Sequence, residues 1–141
     1  MIGYVTVGVD DVQKAERFYS AFLQRLGYQL EVSAEGLSYS IPAAPDQSHE
    51  SPDFYVKPPF NGKSASVGNG TMVAFRVATQ QKVRELHAAA LAAGGSNEGD
   101  PGFRAAYSAN FYVGYLRDSQ GNKVALFCNN RNEPSRPHSL S

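Results

Sequence analysis

The chain opens on strict alternation. Between Tyr4 and Val9 the residues Val5, Val7 and Val9 fall on one face and Tyr4, Thr6 and Gly8 on the other, the period-two pattern of a strand with two different faces. The period then lengthens. Ala15, Phe18, Phe22 and Leu26 recur at three and four residues, Asp10 or Asp11 stands ahead of them as an N-cap, and Gly27 follows as a stop, which predicts a helix. Strand patterns follow at Tyr28 to Val32, Leu37 to Ile41 and Asp53 to Lys57, with a loop rich in proline, serine and aspartate over 43–52. Asn61 to Gly70 holds turn residues and almost no large apolar side chain, so it reads as a connection. Beyond it the pattern restarts. Val73, Phe75 and Val77 make the core face of another strand, and Val83, Leu86, Ala90 and Leu91 mark a helix closed by Gly94 and Gly95. Strands are predicted at Phe111 to Leu116 and Lys123 to Cys128, joined by the turn Asp118-Ser119-Gln120-Gly121-Asn122. Glycine-rich runs at 68–70 and 94–102 read as turns, because neither follows the strand, glycine loop and helix order that aims backbone amides at a phosphate.

The restart is a repeat in sequence as well as in pattern. Tyr4 to Tyr28 lies over Met72 to Ser96 without a gap at a constant offset of 68, and Val5, Val9, Gln13, Lys14, Ala21, Leu23 and Gly27 recur as Val73, Val77, Gln81, Lys82, Ala89, Leu91 and Gly95. Two copies nearly fill the chain, so they imply duplication and pairing of halves rather than a stacked solenoid. The predicted organisation is a single α+β domain over 1–128, with repeats at about 1–60 and 70–128, a linker at 61–69 and a loosely held polar tail at 129–141.

Composition narrows the function classes. The chain has 141 residues, enough for one ordinary domain, and 13 basic residues balance 13 acidic ones, so no strong net field draws it to nucleic acid or to an anionic membrane. One cysteine, Cys128, rules out an intramolecular disulfide and fits a cytoplasmic protein. The strand pattern begins at Ile2 and no apolar run approaches the ~20 residues of a membrane span, so neither a signal peptide nor a membrane anchor is expected.

Two motifs carry a family resemblance over 1 to about 130. Val9-Asp10-Asp11-Val12-Gln13-Lys14-Ala15-Glu16-Arg17-Phe18-Tyr19 is similar to the strand-then-D-x-x-x-A-x-x-FY element of the vicinal oxygen chelate superfamily, which includes glyoxalase I, extradiol dioxygenases and the fosfomycin and bleomycin resistance proteins. Arg117 to Phe127 resembles its D-P-D-G-N-x-x-E-L turn and strand, with Ser119 and Gln120 in place of proline and the second aspartate. The resemblance implies two βαβββ modules, each curling into a half barrel of mixed sheet, paired around a substrate cleft with the helices outside. It also implies four strand positions that hold a divalent metal. In this chain they fall on Tyr4, Tyr55, Met72 and Ala125, which together cannot make a hard divalent site.

The expectation is therefore a protein with no metal cofactor that binds a small, partly apolar molecule. Cleft candidates share strand faces with the vacant positions: Tyr4, Thr6, Tyr55, Met72, Ala74, Arg76, Tyr115, Ala125 and Phe127. Tyr4 and Tyr55 either stack on a ligand or fill a collapsed cleft. Arg76 either pairs with a ligand anion or sits solvated or salt-bridged within the fold, and Arg104 beside Tyr107 either reaches the cleft mouth or lies on the surface. His49, His87 and His138 are read as surface residues, and Cys128 as a core residue facing the same way as Val124 and Leu126. Two alternatives remain: a lyase or isomerase related to glyoxalase I with Tyr4, Tyr55 or Tyr115 as acid or base, and a non-catalytic structural subunit. A homodimer is expected, as in the family, with the halves paired within one chain or across two.

Overall fold

In the computed structural model, which describes residues 1–46 and 51–138, the opening valine stripe forms β1 (Tyr4–Gly8). Val5 and Val7 pack on the core while Tyr4 and Thr6 stay exposed. Asp11 caps α1 (Val12–Leu23) by accepting from the Lys14 amide at 3.0 Å, and a 3-10 turn carries the chain on to Gly27 at φ 98°. β2 (Gln29–Ser33), β3 (Gly36–Ser40) and β4 (Asp53–Lys57) complete a sheet of order β1-β4-β3-β2, in which β1 runs parallel to β4 and the other pairs are antiparallel.

The second module repeats this topology. β5 (Met72–Arg76), α2 (Gln80–Ala92), β6 (Ser96–Phe103), β7 (Tyr112–Arg117) and β8 (Lys123–Cys128) form a sheet of order β5-β8-β7-β6, again with one parallel and two antiparallel pairs. Register repeats too, since Thr6 opposite Tyr55 in the first sheet corresponds to Ala74 opposite Ala125 in the second. The α+β reading with two βαβββ modules holds, as two four-stranded mixed sheets with no closed barrel.

β6 corrects the reading of 94–102 as turns. It is an edge strand paired only with β7, and its register shifts between Asn97 and Gly99 and again between Gly99 and Gly102. An edge strand needs partners on one side only, so bulges, glycines and Pro101 are tolerated and no alternation marks it.

One core serves both modules. α1 and α2 pack on each other, and Phe75 of β5 sets its ring 5.8 Å from Phe22, 6.1 Å from Tyr28 and 5.3 Å from Phe54. Gly95 lets this happen, because a Cβ there would collide with the Phe18 ring. A buried polar clasp closes the same seam. Asp118, 3% exposed, accepts from the amides of Gln120, Gly121 and Asn122 at 2.8 to 2.9 Å and from the Tyr19 hydroxyl at 2.7 Å. The Asn122 amide group donates to the Gly8 carbonyl at 2.9 Å. Gln120 accepts from the Asp10 amide at 2.9 Å and donates to the Ala65 carbonyl at 3.2 Å, which pins the connection between modules to the turn.

The polar tail is held rather than loose over 130–136. Glu133 and Pro134 bond to Gln80 at 2.6 and 2.7 Å, and the Arg136 amide donates to Ala109 at 2.6 Å. Backbone and side-chain hydrogen bonds do this work, and they leave no apolar period in the sequence. No helix among the described residues is long and apolar enough to cross a membrane.

Candidate ligand-binding faces

Helices cover one face of each sheet and leave the other open, and strand alternation decides what the open face carries. On the first sheet it carries Tyr4, Thr6 and Tyr55, with Ser38 opposite Tyr55. Tyr4 and Tyr55 meet at 5.2 Å between ring centroids, tilted by 42°. The Tyr55 hydroxyl donates to Asp53 at 3.3 Å, and Lys57 reaches 5.9 Å from the Tyr55 ring. Desolvation first, and then the charge and hydrogen bond of Asp53, raise the Tyr55 phenol above its ordinary value.

The second open face carries Met72, Ala74, Arg76, Tyr115, Ala125 and Phe127. Arg76 is exposed and lies 5.5 Å from the Phe127 ring, which stacks on Phe111 at 5.4 Å. Tyr115 has two cations near its ring, Lys123 at 4.9 Å and Arg104 at 5.5 Å. Burial and then the nearby Tyr107 raise the Tyr115 phenol, against a smaller pull downward from Arg104. Tyr115 walls two depressions, one of about 480 Å³ with Met72, Tyr107 and Phe111, the other of about 470 Å³ with Glu98, Gly99, Arg104 and Lys123.

Each group of candidates makes its contacts within its own sheet. Among the described residues no hydrogen bond, ion pair or ring contact joins Tyr4, Thr6 or Tyr55 to Met72, Arg76, Tyr115 or Phe127. Thr6 lines a depression with Pro59 and Phe60, and Tyr55 another with Ser33 and Ser38. Met72 and Arg76 border a third, of about 520 Å³, at the module seam with Ile2, Val5, Tyr28 and Phe75. Ala125 is buried, so it adds floor and no chemistry.

Sequence reasoning missed Lys123, although it stands two residues from Ala125 and alternation alone would put it on the open face. Arg104 was left open because the strand before it was missed. His87 is corrected from surface to buried: its Nε2 lies 3.1 Å from the Tyr115 carbonyl, in space that Gly114 leaves. His138 is exposed, and His49 lies outside the described residues. Cys128 is buried as expected, with Sγ 3.5 Å from the Ala78 carbonyl.

A solved glyoxalase/bleomycin resistance protein from Albidiferax ferrireducens is 33% identical to this chain, over 91% of this chain and 98% of its own, with a TM-score of 0.77. The chain belongs to the glyoxalase/bleomycin resistance family. A glyoxalase-related enzyme from Fulvimarina pelagi (18% identity, 92% of this chain and 88% of its own, TM-score 0.66) shares the fold. So does a lactoylglutathione lyase from Agrobacterium tumefaciens (18% identity, 91% and 92%, TM-score 0.58). No protein-family model matches the chain, and no curated protein does.

The divalent metal that the family implies does not fit this donor set. At the four positions stand two phenols, a thioether and a methyl group, and Ala125 has no donor atom at all. Among the described residues no three His, Cys, Asp or Glu side chains are grouped to hold an ion elsewhere.

Proposed function

We propose that this member of the glyoxalase/bleomycin resistance family binds a small, partly aromatic molecule on its open sheet faces and does so without the family's metal. The observation that carries the reading is the replacement of the metal-ligand positions by Tyr4, Tyr55, Met72 and Ala125, beside aromatic rings and the exposed Arg76. Rings of this kind join a broad apolar face to a polar tip, which suits recognition rather than Lewis-acid chemistry. Elemental analysis of the protein, before and after incubation with nickel, zinc, iron and manganese, tests the metal half. Retention of one ion per chain would overturn it. Thermal shifts with aromatic ligands that shrink in Tyr55→Ala or Tyr115→Ala would support the binding half.

The alternative is a lyase or isomerase with Tyr4, Tyr55 or Tyr115 as acid or base; its base form is disfavoured at Tyr55 and Tyr115, whose phenols are raised rather than lowered. We also propose a cytoplasmic homodimer. The exposed apolar residues Ile2, Tyr4 and Met72 near the β1 and β5 edges support a second copy joining there. Light scattering would report a monomer if that is wrong.

A further inference from the structure

Resting on the binding reading above, we propose that the second module's open face contains an anion subsite in which Arg104 and Lys123, gathered around the Tyr115 ring, take the carboxylate or phosphate group of an aromatic ligand.

Arg104 is placed by the backbone and not neutralised by it. Its Nη2 donates to the Asp100 carbonyl at 2.7 Å and its Nη1 to the Phe103 carbonyl at 3.2 Å, so the full charge remains and further N–H donors are free of these bonds. The bulged β6 makes the space: a Cβ at Gly99 or at Gly102 would come within 3.3 Å of a guanidinium nitrogen. Arg136 clips the rim by donating to the carbonyls of Arg104 at 2.9 Å and Tyr107 at 2.8 Å. A guanidinium fixed in this way loses little freedom when it meets an oxyanion.

Charge around it is unbalanced. Glu98 is the carboxylate that lines the depression with Arg104 and Lys123; the hydrogen bond from Arg117 at 3.1 Å, and with it the charges of Arg117 and Lys123, hold its carboxyl below the ordinary value. Among the described residues neither Arg104 nor Lys123 makes an ion pair within 4.0 Å. The neighbouring Asp100 carboxylate accepts from Asn97 at 2.7 Å. Tyr115 keeps its phenolic proton and adds a neutral donor. Its ring also walls the adjoining depression with Tyr107 and Phe111, where the aromatic part of a ligand can lie while its anion meets the cations.

Amide NMR of the full chain titrated with phenyl phosphate, phenylacetate and neutral benzyl alcohol tests this. At least one of the anions should shift Gly99, Gly102 and Tyr115 and bind about tenfold more tightly than the alcohol, with the stronger of the two separating phosphate from carboxylate. Arg104→Gln and Lys123→Gln should each remove most of the anion's advantage over the alcohol, while Arg104→Lys should lose less. Benzyl alcohol binding as tightly as both anions would overturn the subsite and leave the binding reading standing. Equal anion binding in wild type and in both glutamine variants would overturn it as well, as would anion shifts confined to other surfaces. Absence of any shift on either open face, with any probe, would overturn the binding reading itself.

Discussion

On the helix side of the two sheets, Val5 and Val7 of β1 and Val73 and Phe75 of β5 occupy matching places of the repeat, all apolar and all packed on the shared core. On the open side Tyr4 and Thr6 are replaced by Met72 and Ala74, and Tyr55 by Ala125. Charge diverges as well. The first face carries Asp53 and Lys57 at opposite ends of β4, whereas the second gathers Arg76, Arg117 and Lys123 with Arg104 at its edge and Glu98 paired to Arg117. The buried side of both copies must exclude water and fill space, which confines it to apolar residues. The open side carries no such demand, so its chemistry was free to change after duplication, and function is to be sought there.

The helix side nevertheless has one asymmetry, and it predicts the largest effect. Phe75 crosses to the rings of the first module, while its counterpart Val7 is only half-buried within its own. Phe75→Ala should cost about 3–5 kcal/mol in urea denaturation and Val7→Ala about 1 kcal/mol. Equal costs would mean that the modules are not joined through Phe75. Next comes the clasp. Asp118→Asn places an amide group against the Asn122 donor or the backbone amides and should cost about 2–3 kcal/mol.

Gly27 and Gly95 occupy the same position of the repeat for different reasons. Gly27 has φ 98° in open space, and Gly95 is crowded by Phe18. Gly27→Ala should cost about 1 kcal/mol from backbone strain, and Gly95→Ala about 1–3 kcal/mol from overpacking. In a background with a smaller residue at position 18 the added cost of the second substitution should shrink, and that of the first should not.

The last contrast shows only in alkali. Burial raises the Tyr39 phenol to about 12, and burial followed by the charge of Asp118 raises Tyr19 well above its ordinary value of 10.0. Folding therefore favours the protonated phenols. This stabilisation is complete below about pH 10, where the unfolded phenols also hold their protons, and is lost as pH rises through the folded values. Stability should be flat on this account near neutrality and fall above pH 10, with a shallower fall in Tyr19→Phe and Tyr39→Phe measured by denaturation at each pH.

Much of the fold was legible because it rests on alternation, helical period and glycine stops. β1, β4, β5 and β8 and both helices were readable from those signals, and the duplicated offset disclosed the second module. β6 was not, because edge pairing and bulges satisfy backbone groups without any apolar rhythm. The same gap hid the placement of Arg104. His87 looked like a surface residue because a single polar side chain on a helix does not reveal whether the facing strand, here at Gly114, leaves room for it.

The sequence by itself determined the α+β class, the repeated strand-and-helix opening of each module, and the core faces of β1, β5 and β8, because each is a property of residue type and spacing along the chain. Tertiary structure alone decided that Phe75 and Asp118 join the modules, that Gln120 and Arg136 tie loops far away in sequence, and that Arg104 and Lys123 share the Tyr115 ring. These depend on which distant segments meet, and a one-dimensional pattern carries no record of that.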